Sequence, residues 1–248
     1  MTAEARSRQR LSPNLSDGRV NQILAATGVT KIYRTGAETV EALKDLDLEV
    51  QRGEFMAVMG PSGSGKTTLL NCLSGLDAID TGEVLIEGQD IHKMSDAKRS
   101  KRRAETMGFV FQSFNLIPVF SAAENVELPL LLAGRSASEA RRRAEETLTR
   151  VGLGDRMNHR PMELSGGEQQ RVTIARALAG SPAIVWADEP TGNLDTETAG
   201  SIMELLADLN REGLTLVLVT HDPAIGKMAS RLIQMRDGKI ESTEILAG

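Results

Sequence analysis

Short runs of apolar residues recur along this chain, and the segments between them carry apolar residues at helical spacing. Runs of this kind, without polar alternation, are typical of parallel strands that are buried on both faces. They occupy Phe55–Met59, Met107–Phe111, residues 183–187 and residues 215–220. Residues 136–151 and 196–212 instead fit the pattern of an amphipathic helix. The alternation of strands with helices predicts an α/β fold.

Other segments have a period of two. Residues 46–50 alternate apolar with acidic side chains, which is the pattern of a half-buried strand. Residues 23–33 read as one strand or as two, and residues 82–88 as a hairpin strand. Residues 231–241, with an Asp237-Gly238 turn, predict a closing hairpin. The predicted fold is therefore rich in strands outside the buried runs as well.

The middle of the chain changes character. Residues 121–132 and 136–151 predict two helices in succession, the second with an apolar stripe along one side. Two consecutive helices after several strands predict a helical subdomain over about residues 113–165. Residues 1–20 are polar and without a period, so we expect a disordered tail, followed by one folded domain over residues 21–248.

Composition restricts the partners and the compartment. The formal net charge is −5, which gives no support to a nucleic-acid partner. The single cysteine, Cys72, excludes a disulfide within the chain and favours a reducing compartment. No apolar run approaches the ~18 residues that a membrane span needs. We therefore expect any membrane part of the function to come from another chain.

A glycine-rich loop joins the first buried strand to a predicted helix. It consists of Gly60, Pro61, Ser62, Gly63, Ser64, Gly65, Lys66 and Thr67, followed by Thr68. In this context the pattern G-x-x-x-x-G-K-[ST] indicates a phosphate-binding loop, because its backbone N–H groups and the helix N-terminus surround an anion. Lys66 is expected to reach the β- and γ-phosphates and Thr67 to bind Mg²⁺. The alternative is a Gly/Ser-rich turn, but the complete pattern favours a nucleoside triphosphate.

Charged side chains follow two of the other buried runs. Asp188 and Glu189 end one run, and His221 ends the next. Ligands of open α/β sheets bind at the carboxyl ends of the strands, so these groups are candidates for metal binding, for activation of water and for phosphate contact. The alternatives are a surface acidic pair and a structural histidine, which is the interpretation we give to His92 and His159.

A second anion-binding helix start lies far from Lys66 in the sequence. Ser165, Gly166, Gly167 and Glu168 precede or open a helix that is predicted to run to residue 179. The chain therefore holds two separate backbone phosphate cradles.

Tyr33 is the only tyrosine of the chain. An aromatic side chain can stack on a nucleobase, or it can pack locally at a strand edge. Its position alone favours neither.

These motifs, in this order and spacing, resemble those of the ATP-binding subunit of an ABC transporter over residues 22 to about 243. Residues 60–67 are similar to its Walker A loop, and residues 164–169 to its signature motif. The other matches are Gln112 to the Q-loop glutamine, Asp188 to the Walker B aspartate, Glu189 to the catalytic glutamate, Asp195 to the D-loop, His221 to the switch histidine and Tyr33 to the adenine-stacking aromatic.

The resemblance implies a P-loop NTPase core, with a mixed sheet and an antiparallel β subdomain, plus an α-helical signature subdomain. It also implies ATP hydrolysis with Mg²⁺ by two copies that pair head to tail, so that residues 165–168 of each copy act on the nucleotide of the other. The implied roles are Asp188 as a Mg²⁺ ligand through water, Glu189 as the base, His221 as a γ-phosphate contact, Gln112 as a link from Mg²⁺ to the helical subdomain, and Asp195 as a contact between the copies.

Three segments narrow the resemblance. Residues 111–118, 124–129 and 187–195 are similar to the macrolide-exporter, lipoprotein-release and cell-division ATPases. Membership of that group implies a separate membrane permease and a location at the cytoplasmic face of the membrane. Residues 114–117 would then lie near the groove that receives the permease's coupling helix, or alternatively form subdomain core.

A different class of function is the alternative, namely an ABC-type ATPase that acts on DNA or ribosomes. Such proteins usually carry a long coiled-coil insertion or two tandem cassettes. This chain has one cassette, an ordinary subdomain between Lys66 and Ser165, and an acidic net charge, all of which favour the transport function.

Overall fold

The computed structural model describes residues 21–36 and 38–246, and the predicted tail, residues 1–20, lies outside them. The strands are β1 (Gln22–Thr35), β2 (Glu38–Gln51), β3 (Phe55–Met59), β4 (Thr81–Ile86), β5 (Gln89–Asp90), β6 (Met107–Phe111), β7 (Ile184–Asp188), β8 (Thr215–Val219), β9 (Arg231–Arg236) and β10 (Lys239–Ile245). The helices are α1 (Lys66–Leu73), α2 (Asp96–Thr106), α3 (Ala122–Leu132), α4 (Ala137–Arg150), α5 (Gly166–Leu178), α6 (Thr196–Arg211) and α7 (Pro223–Gly226).

The main sheet has six strands in the order β10-β9-β3-β8-β7-β6. Its strands are parallel except β10, which pairs antiparallel with β9. All four buried runs are strands of this sheet, which confirms the predicted α/β fold. Because parallel strands end at the same edge, the loop after β3, Gln112 after β6, Glu189 after β7 and the segment after β8 all leave the sheet on one side. This edge positions the site.

The second sheet is antiparallel, with the order β2-β1-β4-β5. Residues 23–33, which the sequence allowed to be one strand or two, belong to the single strand β1, and register shifts interrupt its pairing with β2. Strand β2 begins at Glu38, well before the predicted segment. The sequence pattern does not show this first part, because residues 38–41 are all exposed and lack the alternation that a half-buried strand shows.

Two hydrophobic clusters cover the two faces of the main sheet. Phe55, Ala57 and Met59 of β3 face one cluster, while Met56 and Val58 face the other, as alternation along a strand requires. The first cluster includes residues of α3, α4, α5 and α6, and the second includes residues of α1 and of the antiparallel sheet. The loop between β3 and α1 is therefore anchored at both ends in a buried core.

The two helices predicted between residues 121 and 151 are observed as α3 and α4. Ala140, Ala144 and Leu148 form the buried side of α4, as the apolar stripe predicts. Both helices have a serine N-cap, Ser121 and Ser136, whose hydroxyl accepts a hydrogen bond from the backbone three residues on. In the part of the chain that the structure covers, no helix has the length and apolarity to cross a bilayer.

Candidate functional site

A cavity of about 780 Å³ opens at the carboxyl edge of the main sheet, between that sheet and the antiparallel one. It brings together four features that lie far apart in the sequence: Tyr33, the glycine-rich loop, Glu189 and His221. From the loop and the start of α1 the lining residues are Ser62, Gly63, Gly65, Lys66, Thr67 and Thr68. Gly60, Pro61 and Ser64 belong to the same loop but are not lining residues. Six of the nine predicted residues of the loop and the helix start thus line one cavity.

The conformation of the loop requires glycine at two positions. Gly60 has φ +152°, and a Cβ there would lie 2.2 Å from the carbonyl oxygen of Met235. Gly65 has φ +96°, and a Cβ there would lie 2.5 Å from the carbonyl oxygen of Ala42. Both contacts are shorter than any side chain tolerates, so the loop is curled tightly against its neighbours.

Lys66 places a positive charge on the concave side of this loop. It is the first residue of α1, and its Nζ donates to the carbonyl oxygens of Gly60 and Pro61, both at 2.9 Å. The ammonium group is therefore held against the loop backbone at the positive end of a helix. Together they favour a polyanion in the cavity.

Thr67 and Asp188 lie side by side below the loop. The Thr67 hydroxyl donates to Asp188 Oδ1 at 3.3 Å. Burial raises the pKa of Asp188, and the charge of Glu189 adds to this, whereas the Thr67 hydroxyl and Lys66 act in the opposite direction. A half-buried carboxylate whose negative charge is poorly solvated is a favourable place for a cation.

The Thr67 and Asp188 oxygens suit Mg²⁺. This ion prefers hard oxygen ligands and usually takes only one or two from the protein, with phosphate oxygens and water supplying the rest. Among residues 21–36 and 38–246, no cluster of three or more His, Cys, Asp or Glu side chains could hold a metal by itself.

Glu189 and His221 meet at the rim of the cavity. His221 Nδ1 lies 2.8 Å from Glu189 Oε1, and the side chains are 75% and 19% exposed. Glu189 has φ +47°, a left-handed conformation that is uncommon for residues other than glycine. Its N–H still donates to the Val219 carbonyl of β8 at 2.9 Å. The left-handed conformation of Glu189 ends the strand. Glu189 lines the cavity, while the preceding Asp188 lies beside Thr67.

Tyr33 lines the same cavity and is fixed by two neighbours. Its hydroxyl donates to Asp77 Oδ2 at 2.7 Å, and the Nζ of Lys31 lies 4.8 Å from the ring centroid. Lys31 also pairs with Asp77 at 2.8 Å. Burial and the hydrogen bond to Asp77 raise the pKa of the Tyr33 hydroxyl. Because Lys31 covers one face of the Tyr33 ring, a nucleobase can stack only on the other face.

Replacing Tyr33 by alanine tests this geometry. We expect Tyr33→Ala to weaken ATP binding about 5- to 150-fold, since base stacking on an aromatic side chain is worth about 1–3 kcal/mol. The affinity for inorganic tripolyphosphate should not change, because the loop is untouched. Tyr33→Phe, which keeps the ring, is the matched control, and calorimetric titration of both ligands measures the effect. Equal losses for ATP and tripolyphosphate would show that the ring does not contact the base.

The sequence did not reveal part of the lining. Val40, Glu41, Ala42 and Lys44 come from the first half of β2, and Asp237 and Gly238 from the β9–β10 turn. The Gly238 N–H donates to the Ser64 carbonyl at 3.1 Å, and the Lys44 N–H donates to the Gly238 carbonyl at 2.9 Å. Both hydrogen bonds join backbone groups of distant segments, so they cannot be predicted from the pattern of side chains in the sequence.

Gln112 is not among the residues that line the cavity. Its side-chain amide donates to Asn193 Oδ1 at 3.2 Å, and Asn193 Nδ2 donates back to the Gln112 carbonyl at 2.9 Å. The structure therefore ties Gln112 to the segment that follows Glu189. Its predicted contact with Mg²⁺ stays a prediction.

The second predicted cradle also lies away from the cavity lining. Ser165 caps α5: its hydroxyl accepts from the Glu168 N–H at 3.3 Å, and Glu168 Oε2 accepts from the Ser165 N–H at 2.8 Å. A Cβ on Gly167 would lie 2.5 Å from Thr198 Cγ2 of α6. Asp195 caps α6 by accepting from the Thr198 N–H and hydroxyl at 3.0 and 2.6 Å. A Cβ on Gly166 would lie 3.3 Å from Leu194 Cδ2, and none of the residues of this cradle lines the cavity that holds the loop of its own chain.

An apolar groove of about 410 Å³ lies beside the helical region. Its lining residues include Leu76, Phe109, Phe111, Asn115 and Arg176. Of the residues 114–117 that were expected either near a docking groove or in the core, Asn115 lines this groove, whereas Leu116 packs against the first hydrophobic cluster. Leu116 therefore fits the alternative of subdomain core, whereas the docking of a coupling helix near these residues stays a prediction.

Comparison with known proteins places these features in a family. The family model described as ABC transporter matches residues 43–192. The chain is 50% identical over 225 residues to an uncharacterized ABC transporter ATP-binding protein of Thermotoga maritima, covering 91% of this chain and 96% of the relative. It is 46% identical over 212 residues to the macrolide export ATP-binding/permease protein MacB of Marinobacter nauticus, covering 86% of this chain but 33% of that protein.

Solved structures give the same result. The ATP-binding cassette MJ0796, whose source is Methanocaldococcus jannaschii, superposes on this chain with a TM-score of 0.83 and 46% identity, covering 91% of this chain and 99% of the other. That structure is a dimer in a post-hydrolysis state bound to ADP and Pi. A second dimeric structure of the same cassette also has a TM-score of 0.83, at 47% identity.

Proposed function

The chain belongs to the ABC transporter family, and from this premise we propose that it is the ATP-hydrolysing subunit that powers a separate membrane permease. The observation that carries the proposal is the single cavity that holds the phosphate loop, the carboxylate Glu189 and His221 together. The ADP and Pi bound to the related cassette support ATP as the nucleotide.

The chemistry follows from where each group lies in the cavity. Lys66 and the loop amides bind the β- and γ-phosphates. Glu189 accepts the proton of the attacking water, and its left-handed backbone aims the carboxylate at the cavity. His221 lies 2.8 Å from that carboxylate with its ring largely exposed, so its ring N–H can donate either to Glu189 or to a γ-phosphate oxygen. Thr67 and Asp188 would hold Mg²⁺, which supplies charge neutralisation at the β- and γ-phosphates when bound.

A second copy of the chain completes this site. Ser165, Gly166, Gly167 and Glu168 lie at the start of α5, and none of them lines the cavity of their own chain. We propose a head-to-tail dimer in which these residues close over the nucleotide held by the partner subunit, with Asp195 at the contact between the copies. The dimeric cassettes of the related protein support the pairing of two copies.

The membrane partner is proposed to dock at the apolar groove next to Gln112. MacB of Marinobacter nauticus carries an ATP-binding part and a permease in one protein, and this chain matches one third of it. We propose that here the permease is a separate chain of the macrolide-exporter, lipoprotein-release or cell-division type. The subunit would then sit at the cytoplasmic face of the membrane. No observation favours the alternative of an ATPase that acts on DNA or ribosomes.

Affinity purification from detergent-solubilised membranes tests this function. We expect the tagged chain to retain an integral membrane permease, and Leu76→Glu to release it, because Leu76 lines the groove and is 45% exposed. The matched control is Ile245→Glu on β10, which puts the same charge on an exposed apolar position outside the groove. Retention of nucleic acid or ribosomes in place of a membrane protein would overturn the proposal.

A further inference from the structure

Helix α5 carries a glutamine that the proposed chemistry does not use. Gln170 is 0% exposed. Its Nε2 donates to the carbonyl oxygens of Pro190, at 2.6 Å, and of Phe111, at 3.4 Å, and its Oε1 accepts from the Thr173 hydroxyl at 3.2 Å. A buried amide is costly unless its groups are paired. Here the amide N–H groups donate to carbonyl oxygens at the end of β6 and just after β7.

The two carbonyls lie next to the two residues proposed to act around the γ-phosphate. Pro190 follows Glu189, and Phe111 precedes Gln112. Glu189 needs such support, because a left-handed conformation at a residue other than glycine is costly and persists only where the surroundings enforce it. Its N–H is held by Val219 and its carbonyl accepts from the Gly192 N–H at 3.0 Å. The bond from Gln170 fixes the next carbonyl along the chain.

The helix that carries Gln170 is itself fixed against the sheet. A Cβ on Gly108 of β6 would lie 2.6 Å from the Ala177 carbonyl, so the two backbones are in direct contact. Arg176 donates to the Phe114 and Asn115 carbonyls at 3.0 and 2.7 Å. Side chains of α5 therefore donate hydrogen bonds to the backbone on both sides of Gln112. Ser165 is the N-cap of the same helix.

We propose that Gln170 is a positioning residue for hydrolysis: it sets the orientation of Glu189 and of Gln112 from the helix that starts at the second cradle. The proposal rests on the function proposed above for Glu189. It gives α5 two tasks, since its first residues contact the partner's nucleotide while Gln170 holds the base that acts on the nucleotide of its own chain. Closure of the dimer over one ATP is thereby linked to the geometry of the other site.

Steady-state turnover and ATP binding of Gln170→Met test the proposal. Methionine keeps the length and volume of the side chain and removes both donors. We expect kcat to fall about 10- to 100-fold, the range expected for a misplaced catalytic group, while the Kd for ATP stays within about twofold of the parent. Gln170→Leu, which also lacks the donors, should give the same split between kcat and Kd.

The matched control is Asn210→Leu. The Asn210 amide likewise donates to two backbone carbonyls, Gly53 at 3.0 Å and Leu214 at 2.7 Å. These lie before β3 and β8, at the amino edge of the sheet, so this variant should lose stability with kcat retained. All variants are compared well below their thermal midpoints.

The outcomes separate this proposal from the one on which it rests. If Glu189→Gln stops turnover but Gln170→Met turns over like the parent, the positioning role is wrong and the base assignment stands. If both Gln170 variants lose ATP binding together with turnover, Gln170 is merely structural and the proposal is likewise overturned. Unchanged turnover in Glu189→Gln itself would remove the premise.

Discussion

Glu189→Gln is expected to lower ATP turnover by about 10²- to 10⁴-fold, the usual contribution of a general base, while leaving ATP bound. Glutamine has the same shape as glutamate, so the contact with His221 and the left-handed turn after β7 are preserved. Its amide cannot accept a proton from water. Since the loop, Lys66 and the second cradle remain intact, the ATP-bound dimer should accumulate instead of being consumed.

The measurement combines a phosphate-release assay with size-exclusion chromatography in the presence of ATP and Mg²⁺. The variant should elute as a dimer that persists, whereas the parent should return to monomer as ATP is hydrolysed. Glu244→Gln, at an exposed carboxylate on β10, is the control and should behave like the parent. Hydrolysis by Glu189→Gln at the parental rate would mean that another group activates the water.

Ser165→Arg is expected to reduce turnover by about 10²- to 10³-fold, the loss typical when preorganised donors at a developing charge are removed. Ser165 does not line the cavity of its own chain, so a loss of this size requires a contact between Ser165 and the nucleotide of the partner subunit. In the head-to-tail arrangement the arginine would block the helix start that faces the partner's γ-phosphate. ATP affinity of the monomer should be retained, since no lining residue changes.

The control for this variant is Ser136→Arg. Ser136 caps α4 as Ser165 caps α5, and in both cases the hydroxyl accepts from the backbone N–H three residues on at 3.3 Å. Loss of an N-cap costs about 1 kcal/mol in either helix. If turnover falls equally in both variants, the effect of Ser165→Arg is explained by loss of helix stability, and a contact with the partner subunit is not supported.

The parallel sheet and the groups at its edge were predictable because their signals are local. A buried parallel strand has no polar face, so β3, β6, β7 and β8 read directly as apolar runs. The functional groups then follow each strand within a residue or two, and a shared sheet edge brings them together. The family resemblance assigned roles to Gln112, Asp195 and the second cradle that position alone could not.

The missed features depend on contacts between distant segments. Asp77 fixes Tyr33 across 44 residues, and an isolated aspartate carries no signal of its partner. The β9–β10 turn reaches the loop through the Gly238 N–H, a contact independent of side-chain type. Gln170 sits inside a helix where a glutamine ordinarily faces solvent, and only the packing of α5 against β6 shows that it is buried. Such positions are invisible to periodicity because the tertiary structure overrides it.

Each hydrolytic site is proposed to be built from two copies, and a mixture of two inactive variants shows whether it is. Lys66→Ala lacks a working phosphate loop, and Ser165→Arg lacks a working second cradle. In a mixed dimer, one of the two sites pairs the intact loop of one copy with the intact cradle of the other. For equal amounts that pair at random, half of the dimers are mixed and each holds one complete site, so we predict recovery of up to about a quarter of the parental rate. If mixed dimers form and ATP turnover stays at the level of the separate variants, the cradle does not act on the partner's nucleotide and the account is contradicted.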